Sequence, residues 1–309
     1  MNVLVTGGAG YIGTALVADL AQRAEISEIR IYDNLSRKNP NLFLCDPIAH
    51  GKIRFIRADL LDTRKLQAAL KGIDVVFHLA AKVSTPFADA DFHGLDQVNH
   101  WGTAELSYLL ENQPVSRVVY LSSTSVYGAS ESLVDLQTPP DPKTAYGISK
   151  LRGEDMLGRL NNQMPVHIVR CGNVYGYNKS MRFDAVINRL MLDAHFSGRL
   201  TIHGSGQQTR AFIHIQNLIP ILSAIGLDGQ LPGISNVVER NATVQDIADV
   251  LQELYPDLEM LYIQQDMRLR NLMVEPDPRL AATQLLQDVP LREQLEAFRG
   301  QFAFEPQRP

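Results

Sequence analysis

The residues best suited to chemistry are a tyrosine and a lysine four apart, Tyr146 and Lys150, in the run Ala145-Tyr146-Gly147-Ile148-Ser149-Lys150. On a helix, positions four apart share a face. An ammonium beside a phenol lowers the phenol's pKa, and a phenol so tuned can act as a general base near neutral pH. Such pairs also arise by chance, so the rest of the chain decides. Upstream, Leu121-Ser122-Ser123-Thr124-Ser125-Val126-Tyr127-Gly128 gathers hydroxyls at the end of an apolar run. At the N-terminus, Thr6-Gly7-Gly8-Ala9-Gly10-Tyr11-Ile12-Gly13 follows the apolar Asn2-Val3-Leu4-Val5 and precedes a helical composition from Thr14 to Arg23. A strand, a glycine turn and a helix start bring backbone N–H groups and a positive dipole end to one point, which suits a diphosphate. Glycine is needed because a Cβ would hold phosphates off the backbone and crowd the helix against the strand.

These groups need a sheet to hold them. Apolar runs at Asn2–Val5, Ile29–Tyr32, Ile53–Arg57, Val75–His78, Arg117–Leu121 and Val166–Arg170 alternate with helical stretches. Continuous apolar runs mark parallel strands covered on both faces. The expectation is an α/β fold, a doubly wound parallel sheet of the Rossmann type with a smaller C-terminal substrate-binding region. The hydroxyls after the fifth strand then lie at a carboxyl end, where ligands bind in such sheets. Asp33 ends the second strand, twenty residues after Gly13. A carboxylate there accepts from ribose hydroxyls and repels a 2′-phosphate, which favours NAD over NADP. Arg37 and Lys38 pull the other way: they clamp a 2′-phosphate or are solvated loop charges. Asp59 and Leu60 follow the third strand and can reach the adenine, with an ordinary polar loop as the equal alternative. Leu79, Ala80 and Ala81 follow the fourth and let the backbone come close to the cofactor. Asn99 falls inside a helix expected over Leu95–Leu110, either as structural glue or as a prop for the site.

The chain resembles the extended short-chain dehydrogenase/reductases, and within them the NAD-dependent nucleotide-sugar epimerases and dehydratases, with UDP-glucose 4-epimerase as the nearest pattern. The resemblance rests on the glycine turn, Asp33-Asn34-Leu35-Ser36, Phe77-His78-Leu79-Ala80-Ala81, Val98-Asn99 with Gly102-Thr103, Ser122–Gly128, Tyr146 to Lys150, Arg170 with Asn173-Val174-Tyr175-Gly176, and Gly204-Ser205-Gly206-Gln207-Gln208-Thr209-Arg210. It implies a catalytic trio of Ser123, Tyr146 and Lys150, with Thr124 as a one-residue alternative to Ser123. The cofactor, NAD, would be held by Gly7, Gly10, Tyr11, Ile12, Gly13, Asp33, Asn34, Asp59, Leu60, Leu79, Ala80, Ala81 and Asn99, with Tyr146 and Lys150 at its ribose. Asn173 and Arg210 would grip the nucleotide diphosphate of the sugar. Asn188, Gln207 and Phe212 are candidates to line the nucleotide pocket, and Arg268 or Arg270 to touch its phosphates. The resemblance also implies a homodimer through the helices carrying Asn99 and Tyr146.

Two features depart from the family pattern. The 4,6-dehydratases carry an Asp-Glu pair where this chain has Thr124 and Ser125, which argues against water elimination. Ala145 stands where a proline is usual. The resulting expectation is an epimerase acting at C4 of a nucleotide-activated hexose through a transient 4-keto sugar. The alternatives are a nucleotide-sugar reductase or dehydrogenase with net NAD(P)(H) turnover, and a non-catalytic dinucleotide-binding regulator.

From Lys179 to Arg210 there are five basic residues against two acidic ones, a fit for an anionic ligand or an ordinary solvated surface. His214 is expected in a strand with local hydrogen bonds. Gly233–Val238 reads as a strand that rejoins the main sheet, which blurs a division into residues 1–170 for NAD and 171–309 for the nucleotide sugar. Thr243–Tyr255 reads as an amphipathic helix with Thr243 as its cap and Asp246 three residues on. A net charge of −5 argues against general nucleic-acid binding. Cys45 and Cys171 form no metal or redox motif. No apolar run reaches membrane-spanning length, and Met1 leads straight into a strand, so a soluble cytoplasmic protein is expected.

Overall fold

The computed structural model describes residues 1–39, 41–44, 51–83, 91–264 and 270–304. The first half alternates strand and helix: β1 (Asn2–Thr6), α1 (Tyr11–Gln22), β2 (Glu28–Asp33), β3 (Ile53–Arg57), α2 (Thr63–Leu70), β4 (Val75–His78), α3 (Phe92–Asp96), α4 (Gly102–Leu110), β5 (Arg117–Ser123), β6 (Leu133–Val134), α5 (Ala145–Gly158) and β7 (Val166–Cys171). The second half holds β8 (Asn173–Tyr175), α6 (Val186–Leu192), β9 (Arg199–His203), β10 (Thr209–His214), α7 (Ile215–Asp228), β11 (Gly233–Val237), β12 (Arg240–Thr243), α8 (Val244–Leu254), β13 (Glu259–Ile263), β14 (Met273–Val274), α9 (Pro278–Thr283) and α10 (Leu291–Arg299).

Seven strands form one parallel sheet in the order β11-β7-β5-β4-β1-β2-β3. The alternation of each strand feeds two cores. Val3 and Val5 join Leu16 and Leu20 of α1 and Leu218 and Leu222 of α7 on one face. Leu4, Val118 and Tyr120 join Leu66 of α2, Leu106 of α4 and Leu157 of α5 on the other. The direction of winding reverses between β1 and β4, so their carboxyl ends open a crevice for a ligand.

The helix expected over Leu95–Leu110 is three pieces. A π-helical turn, Gln97–Trp101, sits between α3 and α4 and contains Asn99. Such turns recur at functional sites because they re-aim one side chain. Gly102, just after it, lies where a Cβ would press on Leu60 at 3.0 Å.

β14 of the second half pairs with β6 of the first, and the smaller sheets β12-β10-β8 and β13-β9 belong to the second half alone. Their core is Tyr175, Ile187, Met191, Leu200, Phe212, Ile247, Leu251, Leu295 and Phe298. The start of α8 carries the full capping box, Thr243 Oγ1 accepting from Asp246 N and Asp246 Oδ2 from Thr243 N. Among the described residues no helix is long and apolar enough to cross a membrane.

Candidate active site

Gly7 follows β1 with φ +71°, a conformation that favours glycine. A Cβ on it would lie 2.6 Å from the backbone nitrogen of Ala80, in the loop after β4. A Cβ on Gly13 would lie 2.3 Å from the carbonyl oxygen of Gly7. Both contacts are impossible, so the turn closes only with glycine at each place. Gly10 begins α1 with no side-chain cap, whereas Asp62, Thr144 and Thr243 cap α2, α5 and α8. The orphan N–H groups of α1, through Tyr11, Ile12 and Gly13, are therefore open to an anion at the crevice. The residues present fit a dinucleotide diphosphate.

Asp33 ends β2 beside this turn. One carboxylate oxygen accepts from Ala9 N (3.1 Å) and the other from Leu35 N (2.8 Å), which leaves lone pairs on both for ribose hydroxyls. Asn34 donates to Asp59 (2.8 Å), tying together the loops after β2 and β3. The loop holding Leu79, Ala80 and Ala81 is propped from below: His78 bridges Thr6 Oγ1 (2.7 Å) and Thr103 Oγ1 (2.9 Å). Burial, with Lys150 adding to it, pushes this imidazole down to about 3, so it is neutral. Asn99 spends its amide on Lys82 N, Lys82 O and Ser149 Oγ, each at 2.8–2.9 Å. It therefore joins the β4 loop to α5 beside Tyr146 and Lys150.

Tyr146 and Lys150 lie on α5, which Thr144 caps through Gly147 N at 3.0 Å. A Cβ on Gly147 would sit 2.6 Å from Ser125 O, so glycine allows α5 to press against the turn after β5. That turn is a short 3-10 helix, Thr124–Tyr127, begun by Ser123. Ser123 Oγ accepts from Ser125 Oγ at 2.9 Å and lies near enough to the Tyr146 phenol to favour its charged form. Ser123 rather than Thr124 is the hydroxyl whose influence reaches the Tyr146 phenol. Thr124, expected at the substrate, is only 3% exposed, a correction.

The expected lowering of the phenol's pKa by Lys150 is not what the protein alone produces. Burial pushes Tyr146 up to about 12; Arg182 is the first group to oppose this, Cys171 adds to the rise and the Ser123 hydrogen bond opposes it. Lys150 is 1% exposed and burial brings it down to about 7, with Glu154 opposing. Its ammonium lies 4.1 Å from the centre of the Tyr120 ring. The i, i+4 rule places both groups on one face but is silent on desolvation, which outweighs their attraction here.

The substrate side is mixed. Asn173 is exposed, with its amide nitrogen on Ala211 O (3.0 Å) and its oxygen left for a ligand. Arg210 is half-buried; its Nη1 donates to Thr209 O (2.8 Å) and to Arg270 O, so the rest of the fork can meet an anion. Gln207 is exposed beside it. Arg270 is exposed and donates to Lys143 O. Two expectations fail. Asn188 is 0% exposed and its amide is consumed by Gly176 N and Arg182 O, both at 3.0 Å. Phe212 is 1% exposed with its ring against Tyr175, a core residue. Arg268 lies outside the described residues. His214 begins α7 and accepts from Gln216 N, a local role as expected.

Sequence reasoning missed Arg182, whose fork rests on Asp184 (2.9 and 3.1 Å) and whose charge reaches Tyr146. It also missed the buried pair Glu154–Arg170, described below. Glu154 could have been found as the next member of the Tyr146, Lys150 stripe; nothing local marks Arg182.

The family model "NAD dependent epimerase/dehydratase family" matches residues 3–237. The Uncharacterized UDP-glucose epimerase YtcB of Bacillus subtilis is 31% identical over 235 residues, 73% of this chain and 72% of that protein. The human dTDP-D-glucose 4,6-dehydratase is 28% identical over 274 residues, 84% of this chain and 76% of that one. A crystal structure of UDP-glucuronic acid 4-epimerase from Bacillus cereus, in complex with UDP-glucuronic acid and NAD, superposes with a TM-score of 0.82 at 27% identity, covering 97% of this chain and 98% of that chain. With a glycine cradle that fits a dinucleotide and a family model spanning most of its length, the chain belongs to the NAD-dependent epimerase/dehydratase family.

Proposed function

We propose that this protein is an NAD-dependent epimerase of nucleotide-diphosphate sugars, acting at C4 through a transient 4-keto sugar. The observation that carries the reading is the placement of the Tyr146 phenol near Ser123, on the helix that carries the buried Lys150 and against a turn that offers no carboxylate. Eliminating water needs a positioned acid and base, and Thr124 and Ser125 supply neither. Bound NAD supplies a hydride acceptor and, once reduced, the matching donor. Gly7, Gly10, Gly13, Asp33 and the start of α1 would hold it.

The chain's own residues handle the proton and the oxygen. Tyr146 as phenolate takes the proton of the C4 hydroxyl. Ser123, whose oxygen already accepts from Ser125, has its own proton free to steady the C4 oxygen as it becomes a carbonyl. The keto sugar presents its other face, and Tyr146 then returns the proton. Arg182 and Lys150 supply positive charge around the phenol. Asn173 and Arg210 would hold the diphosphate while the sugar turns.

Relatives named as UDP-glucose epimerase and UDP-glucuronic acid 4-epimerase support this outcome. We also infer a cytoplasmic homodimer: Trp101 and Tyr108 are about half exposed on the helical face formed by the π turn and α4, as a partner surface would require. The test is incubation of the purified protein with UDP- and dTDP-hexoses and uronates, with the epimer read by NMR. An epimer formed without absorbance change at 340 nm is expected. Sustained consumption of NAD(P)H would instead mark a reductase, and loss of water a dehydratase. Silence across the panel would refute the reading.

A further inference from the structure

One turn beyond Lys150 on the same stripe of α5 lies a carboxylate, Glu154, that is only 4% exposed. Its partners come from the sheet beneath. Arg170 of β7 donates Nη2 to Oε2 at 2.7 Å and Nε to both oxygens at 3.2 Å. Ser122 of β5 donates to Oε1. Arg170 is itself 4% exposed and is anchored by Nη1 on Tyr127 OH (3.0 Å), which donates on to Asn236 Oδ1 (2.9 Å). A buried carboxylate with one cation beside it is a neutral pair. This one has Arg170 as its ion-pair partner and, one turn earlier on the same face of α5, a second basic group, Lys150, whose proton its charge favours.

We propose that Glu154 is a positioning residue of the active site: a fixed buried carboxylate, clamped by Arg170 and Ser122, that keeps the Lys150 side chain in its charged form beside the reacting phenol. The role given to Lys150 rests on the reading above. The physical case is that a lysine so enclosed would otherwise shed its proton. On α5 Lys150 has Tyr146 one turn before it and Glu154 one turn after it; its ammonium lies over the Tyr120 ring of β5, and its charge reaches His78 of β4. His78 is neutral, and Tyr120 is held in its protonated form chiefly by burial. Among these groups Glu154 is the one whose charge opposes the loss of the Lys150 proton. Arg170 and Ser122 hold the carboxylate in place through their hydrogen bonds.

The chain has eight lysines, and Lys150 is the one buried among those described. Its titration can therefore be followed by NMR of protein labelled at the lysine side-chain carbon next to nitrogen, with the resonance assigned from Lys150→Met. No substrate or cofactor is needed, so the result stands apart from whether the chain proves to be an epimerase. In Glu154→Gln the Lys150 midpoint is expected to fall by about one pH unit or more. In Glu154→Asp, which keeps the charge, it should stay near the wild-type value. If Glu154→Gln does not fold, the double variant Glu154→Gln/Arg170→Met, which leaves no lone charge behind, is titrated in its place and should show a fall in the same direction, smaller because a neighbouring cation is also removed. In the epimerase assay the alkaline limb of kcat/KM should move to lower pH with the Lys150 midpoint. A folded variant lacking the carboxylate whose Lys150 midpoint stays at the wild-type value would overturn the proposal, whatever its activity.

Discussion

Replacing Lys150 by methionine should make the protein more stable while abolishing its chemistry. Burial takes Lys150 from its ordinary 10.5 to about 7. The folded pKa of a base lies below its unfolded value, so between the two the unfolded chain binds more protons. Wild-type stability therefore rises as pH goes from 7 to 10.5 and is flat in this respect below 7. At pH 7 the drop corresponds to about 4 kcal/mol of lost stability, roughly 1.4 kcal/mol per pH unit. Methionine matches the length of the stem and has no charge to desolvate. Against the gain stands the ammonium over the Tyr120 ring, worth about 2 kcal/mol when desolvated. A net gain of about 2 kcal/mol is expected at pH 7 for Lys150→Met, fading towards zero or below near pH 10.5. The assay is urea unfolding of cofactor-free protein at several pH values, with the slope against denaturant checked for constancy. A difference between wild type and variant that does not change from pH 7 to pH 10 would refute the claim that Lys150 is held against its own desolvation.

Other consequences follow from single contacts. Gly7→Ala brings a Cβ to 2.6 Å from Ala80 N at a φ of +71°; it should lower stability by about 1–3 kcal/mol and NAD affinity by at least tenfold, read by calorimetric titration. Asn99→Leu leaves Lys82 N, Lys82 O and Ser149 Oγ without their partner; a loss of about 2–4 kcal/mol in urea unfolding is expected. Arg210→Met removes a half-buried cation and should raise KM for the nucleotide sugar about tenfold with kcat little changed, measured by steady-state kinetics.

Much of the fold was legible because its strands are buried on both faces. Such strands read as apolar runs without any knowledge of their neighbours, and β1, β4 and β7 are found this way. The glycine turn was legible for a related reason: its steric demand is local, with Gly13 packed on Gly7 six residues earlier. The substrate half was less so. Asn188 looked like a polar residue free to meet a ligand, but it is fixed by Gly176 twelve residues before it and by Arg182. The same segment is fastened to α1 by Tyr11 on Gly176 O and by Thr14 on Ser180 Oγ, across more than 160 residues. No spacing rule spans such a distance. Phe212 failed differently: an aromatic beside a candidate pocket residue is as much at home in a core, and strand β10 turns it towards Tyr175.

The active site shows where local rules stop. Periodicity along α5 places Tyr146, Lys150 and Glu154 on one stripe, and alternation along β5 places Val118, Tyr120 and Ser122 on one face. Each pattern is visible in the sequence, but their phases relative to each other are not. The structure lays the stripe over that face, so that Lys150 meets the Tyr120 ring and Glu154 meets Ser122. Gly153 makes this possible, because a Cβ there would strike Tyr120 OH at 2.3 Å. Tyr146, at the top of the stripe, overhangs the end of the strand, where Ser123 begins its turn and comes within reach of the phenol. The polar residues of β5 are therefore a floor matched to the helix above it. Tyr120 and Ser122 interrupt an apolar strand because the helix that covers them brings an ammonium and a carboxylate instead of two more leucines.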